Sequence, residues 1–334
     1  MGVQPKFNYG GQAVIEGVMI RGRENVSLAV RRQDGTIHLE HQRLGTLLTG
    51  KIRRVPLVRG VAVLAESLIL GVKAMQRAAN VALQGEEEGG EEIAGWVLAL
   101  TLLVSLVLGV GIFFVLPLLI VHLLDPSISS DLVSNLIEGG LRLALLIGYI
   151  KAIGMLDDIK RVFAYHGAEH MAVHTYEAGL PLVLDNVRRF PTPHPRCGTA
   201  FLLTVVLVSI LVFAFLQRPP IEWRILSRIL LVPVIAGISY EVIRFSGAHQ
   251  NSAFGHFMAV PGLLLQRLTT RQPDDSQIEV AICAMETAIA ADEGREYAVP
   301  VALEVTSAEN EGAGANLAEP EPPTDDRMDA PSGC

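Results

Sequence analysis

Cysteine is scarce in this chain. Three occur among 334 residues, at positions 197, 283 and 334, and no two form a C-x-x-C pair. That spacing excludes a zinc ribbon, a thioredoxin motif and a disulfide framework. Aromatic residues make up only 6%. There is no G-x-G-x-x-G, so a dinucleotide-binding loop has no support. No internal repeat is present. The opening "MGVQPKFNYGGQ" lacks the apolar core of a signal peptide, and residues 3–6 offer no hydroxyl where a myristoylation signal needs one. The formal net charge of −8 is carried largely by the run "GEEEGGEE" at 85–92 and by the last thirty residues. Lys and Arg cluster near the hydrophobic segments instead of forming one basic face, which argues against nucleic acid as a partner.

Aliphatic residues are abundant. Apolar residues reach 50%, and mean hydropathy is +0.38. That is too apolar for an ordinary soluble domain. The pattern predicts a mainly α, polytopic membrane protein with about four transmembrane helices, a small N-terminal β module and a C-terminal amphipathic helix. The expected spans are 96–124, with Pro117 as a kink; 132–155, carrying Glu138 and Arg142 four apart on one face; 199–216; and 225–245, with Pro233. Each is long enough to cross about 30 Å of hydrocarbon as a helix. Residues 56–83 read as an amphipathic helix at the cytoplasmic membrane interface in preference to a true span, because Arg59 and Glu66 interrupt its apolar run; a fifth span is the alternative.

The remaining segments follow. Residues 1–50 form the β module, with a hairpin turn at Asp34-Gly35, where both turn positions favour positive φ. Residues 51–92 hold the interfacial helix and an acidic linker, and 93–155 the first two spans. Residues 156–198 form a cytoplasmic segment with a His/Glu-rich helix and the "HPRCG" loop. Residues 199–246 hold the last two spans. Residues 247–304 are helical, with a capping box at Ser276-x-x-Glu279. Residues 305–334 form an acidic tail without apolar periodicity. Lys and Arg concentrate before the first span, between the second and third, and after the fourth, while 125–131 has none. Three arginines in 217–228 go against this trend. The balance places both termini in the cytoplasm of a bacterial cell membrane.

One segment concentrates chemistry. "YHGAEHMAVHTYE", 165–177, holds three of the nine histidines and two glutamates. A helix over 157–178 would end at Gly179-Leu180-Pro181. At about 100° per residue, His166, His170, His174, Glu169 and Glu177 fall within about 140° of arc. His166, Glu169 and His170 spell H-x-x-E-H. In metallopeptidases with that order the histidines bind zinc and the glutamate is the general base. The expected ligands are therefore His166 and His170, with Glu169 as the catalytic base. His174, Glu177, and His194 and Cys197 of "FPTPHPRCGTA" compete for the remaining positions. Arg196, beside Cys197, would favour its thiolate. The bland alternative is a juxtamembrane helix with a solvated polar face. His38, His41, His122, His249 and His256 are scattered and read as structural.

Four stretches, "GGQAVIEGVMIRG", "YHGAEH…YE", "HPRCGT" and "LTTRQPDDSQIEVAI", together resemble the YqhQ-like family, a group of bacterial multi-pass membrane proteins described as predicted metal-dependent enzymes (domain of unknown function 1385). The resemblance covers about residues 8–290. It implies a bacterial inner-membrane protein but supplies no reaction. The expected function is a zinc-dependent, hydrolase-like activity at the cytoplasmic membrane face, on a membrane-associated peptide or lipid-linked substrate. A non-enzymatic membrane scaffold with a structural metal site is the alternative. A metal transporter fits less well, because the first and third spans carry almost no polar groups.

Overall fold

The computed structural model describes residues 7–44, 55–83, 95–216, 219–249, 252–295 and 297. The acidic run at 85–92, the tail from 305, residues 1–6, and Lys51, Arg53, Arg54, Arg218 and Cys334 lie outside the described residues, as does the side chain of His256.

The chain is mainly helical, with a small N-terminal sheet. Strands β1 (Gly10–Val14), β2 (Gly17–Arg21), β3 (Asn25–Arg31) and β4 (Ile37–Arg43) pair as an antiparallel meander in that order. Ile15-Glu16 joins β1 to β2, and Glu16 takes a left-handed φ of 51°. The expected hairpin at Asp34-Gly35 joins β3 to β4, but its turn differs. Only Gly35 is left-handed, with φ 86°. The Gly35 amide donates to the Arg32 carbonyl and the Asp34 carboxylate accepts from the Thr36 amide, so this is a longer loop with one glycine-dependent position.

Alternation along the strands buries both faces of the sheet. Val14, Met19, Val26, Leu28 and Val30 face Ala74, Ala78 and Ala82 of α1 (Val58–Leu83). Ala13, Val18, Ile20 and Ala29 face the opposite way. They meet Tyr165, Ala168, Met171 and Ala172 of α5 (Asp157–Glu177), and Ile278, Ala281, Ile282 and Met285 of α10 (Asp275–Asp292). The sheet, α5 and α10 thus share one core. The capping box of α10 lies two residues before the expected one: Asp274 is the N-cap and Gln277 its partner.

The apolar helices form a second body. Helix α2 (Gly95–Val110) runs through one π turn, Gly111–Val115, into α3 (Leu116–His122). Next come α4 (Asp131–Ile153), α7 (Thr199–Ala214), α8 (Ile221–Ala248) and α9 (Ala253–Thr269), while the single turn α6 (Leu184–Val187) packs against α5 and α10 in the first core. Helix α7 packs against α4, α8 and α9. Two stretches, Ala99–His122 and Ile221–Gly247, are long and apolar enough to cross a membrane. A third is available if α4 and α5 count as one broken span, although they bend by 101° where they meet. Helix α7 is apolar but only 16 residues long. The bend sends α5 off sideways at the end of α4 and lays it against the sheet.

Candidate functional site

Helix α5 divides its residues by face. Tyr165, Ala168, Met171 and Ala172 enter the core. The polar arc turns toward the 190–198 loop and the end of α9. Glu169 and His170 of this arc are nevertheless only 4% and 3% exposed, and His194 of the loop 4%, while His166 and His174 are half-buried and Glu177 is exposed. Ordinary surface histidines are not sealed in this way.

The predicted residues fall into two adjoining groups. In the first, one donor atom each from His166, His170 and Cys197 lies within 4.8 Å of the others. His166 Nδ1 is 2.8 Å from the Thr269 carbonyl, and His170 Nδ1 is 2.5 Å from the Thr192 carbonyl. A carbonyl oxygen can only accept, so both Nδ1 atoms carry the proton. Each Nε2 is left with its lone pair. His166 Nε2 lies 3.2 Å from Cys197 Sγ. Backbone carbonyls that fix the ring tautomer are characteristic partners of metal-ligating histidines. Burial also pushes the His170 pKa down, which favours its neutral form.

Glu169 sits at the edge of this group. Its Oε2 is 3.5 Å from His170 Nε2, and its Oε1 accepts the Gly11 amide at 2.9 Å. Burial raises its pKa, against the opposing pull of His166, His194 and the Gly11 hydrogen bond.

The second group is His174, Glu177 and His194. His174 Nε2 donates to the Pro193 carbonyl at 3.0 Å, and burial lowers its pKa to about 4. His194 Nδ1 accepts the Arg196 amide at 3.3 Å, so its Nε2 carries the proton facing Glu177 Oε2 at 3.4 Å. Both His194 nitrogens are therefore engaged by protein atoms. The Arg196 guanidinium pairs with Glu177 and donates to Asn8. It does not take up the expected role beside the Cys197 sulfur. That sulfur instead meets the amide and hydroxyl of Thr199, at 3.3 and 3.0 Å, at the positive N-terminal end of α7. The donor atoms of the first group could hold a cation, whereas the second faces the Arg196 guanidinium.

Several residues that build the site carried no sequence signal. Gln266 pins the loop reciprocally: its Oε1 accepts the His194 amide at 2.7 Å and its Nε2 donates to the His194 carbonyl at 2.9 Å. A Cβ at Gly167 would lie 2.2 Å from the Arg271 carbonyl oxygen, so only glycine lets the segment between α9 and α10 cross α5 here. The Thr192 and Thr269 carbonyls contribute through the backbone alone. Elsewhere, His38 contacts Arg32 and Glu40, His122 contacts Asp125, His249 stacks on Phe245 and His41 is exposed.

Fold and cluster together define a mainly helical protein with two or three membrane-length helices and a His/Cys/Glu cluster, buried at Glu169, His170, His194 and Cys197, above an antiparallel sheet. The chain belongs to the family described as protein of unknown function (DUF1385), whose model matches residues 55–291. It is 34% identical over 285 residues to the "Uncharacterized protein YqhQ" of Bacillus subtilis (strain 168), covering 82% of this chain and 90% of that protein. No solved structure matches it.

Proposed function

We propose that this chain is a metal-dependent membrane enzyme of hydrolase type, with zinc as the leading ion. His166, His170 and Cys197 hold the metal and Glu169 acts as base. One observation carries this reading: two imidazoles, each with Nδ1 spent on a backbone carbonyl, turn free Nε2 atoms toward one sulfur, with a buried carboxylate alongside. The donor set of two nitrogens and one sulfur suits zinc, and three protein ligands are what a catalytic zinc site uses. When bound, such an ion supplies a Lewis acid that brings the pKa of water toward neutrality. The chain's own part is to hold Glu169 in place through Gly11, keep bulk water out and fix both ring tautomers. A carboxylate with a raised pKa is better matched to taking and returning a proton near neutral pH.

In the same reading the chain crosses a bacterial cell membrane four times, through α2–α3, α4, α7 and α8, with both termini in the cytoplasm. Helix α5 then lies along the cytoplasmic face. A membrane-associated peptide or lipid-linked substrate suits that position. The second group, His174, Glu177 and His194, positions the loop and becomes a metal site only if Arg196 withdraws.

The rival reading is a scaffold whose metal is structural. Glu169→Gln separates the two. It keeps size and most hydrogen bonding but cannot take a proton. An enzyme with this substitution retains its metal and fold and loses complementation of a deletion phenotype by about a hundredfold or more in activity. Normal complementation by Glu169→Gln, alongside failure of His170→Ala, would establish the scaffold instead.

A further inference from the structure

Charged side chains gather at both ends of α8. At its start, Arg224 and Arg228 join Glu138 and Arg142 of α4 in a cluster closed to solvent, each residue at most 2% exposed. At its other end the arrangement is open. Arg244 and Tyr240 of α8, Arg59 and Val63 of α1, and Arg21 at the end of β2 line a cleft of about 340 Å³. Close packing shapes it. A Cβ at Gly60 would lie 2.9 Å from Tyr240 Cβ, so the start of α1 rests directly on α8. Farther along, α1 turns Ala74, Ala78 and Ala82 to the sheet. The cleft sits where α1 passes from one body to the other.

The three guanidinium groups are unequally engaged. Arg59 is spent on Glu241: Nε donates to Oε1 at 2.7 Å and Nη2 to Oε2 at 2.5 Å. Arg21 Nη2 reaches Glu66 Oε1 only at 3.5 Å, longer than an ordinary charge-assisted hydrogen bond. Arg244 is exposed and makes no hydrogen bond or ion pair with any described residue. Glu66 and Glu241 offset two of the three charges and leave one in excess beside open space. A lone exposed arginine is served well enough by water. Here it shares one concavity with a second, loosely held guanidinium and with Tyr240, whose hydroxyl is a further donor. That combination suits an oxyanion.

Depth narrows the chemistry. Arg244 lies three residues before the end of Ile221–Gly247, a stretch long and apolar enough to cross a membrane, and so about 5 Å from that end. Its neighbour Phe245 is exposed, as are Leu57, Val58 and Val61 at the start of α1. A small soluble anion has no use for apolar surroundings, whereas a phospholipid brings a phosphate at this depth with acyl chains beside it. Basic pockets between helices at a membrane boundary bind such headgroups. We propose that this cleft binds the phosphate of an anionic phospholipid headgroup, with Arg244 as the principal donor and Arg21 as the second. The assignment needs α8 to cross the membrane and is independent of the metal reading.

The test uses full-length protein purified in mild detergent and titrated, in native mass spectrometry, with phosphatidylglycerol or with phosphatidylcholine of the same acyl chains. Wild type should hold one phosphatidylglycerol at least about fivefold more tightly than phosphatidylcholine. Arg244→Gln removes an exposed side chain without a partner, so it leaves the fold intact. It should lower the phosphatidylglycerol affinity about fivefold, and adding Arg21→Gln should lower it further. Arg267→Gln, exposed on α9 and outside the cleft, removes the same charge and should leave the affinity unchanged. Equal affinity of wild type for the two lipids overturns the proposal, as does an Arg244→Gln protein that binds like wild type. An equal loss in Arg267→Gln would reduce the effect to general surface charge and overturn it too. Thermal melting in inorganic phosphate against chloride at matched ionic strength closes the last route: stabilisation by phosphate without a preference for phosphatidylglycerol would assign the cleft to a soluble anion and overturn the lipid assignment.

Discussion

The Gly11 amide donates to Glu169 Oε1 at 2.9 Å across 158 residues of sequence. The first strand of the sheet therefore orients the carboxylate that stands beside the histidines. The glycine is required by space as well. A Cβ at position 11 would lie 2.2 Å from the Met19 carbonyl oxygen, 2.8 Å from Ile20 Cδ1 and 3.2 Å from Glu169 Cγ. Gly11→Ala should push β1 off β2 and turn Glu169 away. We expect a loss of about 1–3 kcal/mol from overpacking, measured by denaturant melts, with loss of complementation but retained metal. Unchanged stability together with full complementation would show that the strand does not position Glu169.

How far this site can be read from sequence depends on whether side chains or backbone make it. The H-x-x-E-H spacing and the Gly179 stop are side-chain and glycine signals, and they place α5 closely: the helix runs Asp157–Glu177 and Gly179 has φ 74°. The Thr192 and Thr269 carbonyls leave no trace, because any residue supplies a carbonyl. The glycine of "YHGAEH" is visible, but its reason, the Arg271 backbone crossing α5, is not local. Likewise the Glu138–Arg142 pair follows from spacing along one helix, and it forms. The two arginines of α8 that join it are 86 and 90 residues downstream of Glu138, where periodicity says nothing about pairing. Arg196 reads in sequence as a companion to Cys197 because they are adjacent, yet its guanidinium reaches Glu177. Adjacency in sequence fixes the backbone and leaves a long side chain free to turn away.

Asp292, the last residue of α10, gives a prediction about acid stability. Its carboxylate accepts from the amides of Arg23, Glu24 and Asn25, from the Asn25 side chain and from the Tyr9 hydroxyl. It thereby ties the β2–β3 turn to the C-terminal helix. Burial alone would raise its pKa, but these donors outweigh burial and hold it below the ordinary 3.8. A depressed folded-state pKa means that stability is present in full above the unfolded value and is lost as pH falls through the folded one. Asp292→Asn should cost about 1–3 kcal/mol near neutrality. Its melting temperature should also fall less steeply than that of wild type on acidification below about pH 4. Parallel acid profiles for the two proteins would show that this carboxylate contributes nothing through its ionisation.

Orientation can be tested without any assay of activity. In a Cys334→Ser background the remaining cysteines, Cys197 and Cys283, are buried. A membrane-impermeant thiol reagent applied to intact cells should label Ser129→Cys, between α3 and α4, and spare Asp185→Cys, after α5. Labelling of Asp185→Cys would place the histidine cluster outside the cell and remove the cytoplasmic site.

If His166, His170 and Cys197 hold a metal, metal analysis of detergent-purified protein will read it. Wild type, His166→Ala, His170→Ala, Cys197→Ser and Glu169→Gln would be purified alike, checked for folding by gel filtration and analysed by mass spectrometry for transition metals. Zinc is expected at close to one ion per chain in wild type and Glu169→Gln. The three ligand variants should lose most of it. Equal metal content in wild type and the histidine variants, or none in any folded protein, would contradict this ligand assignment.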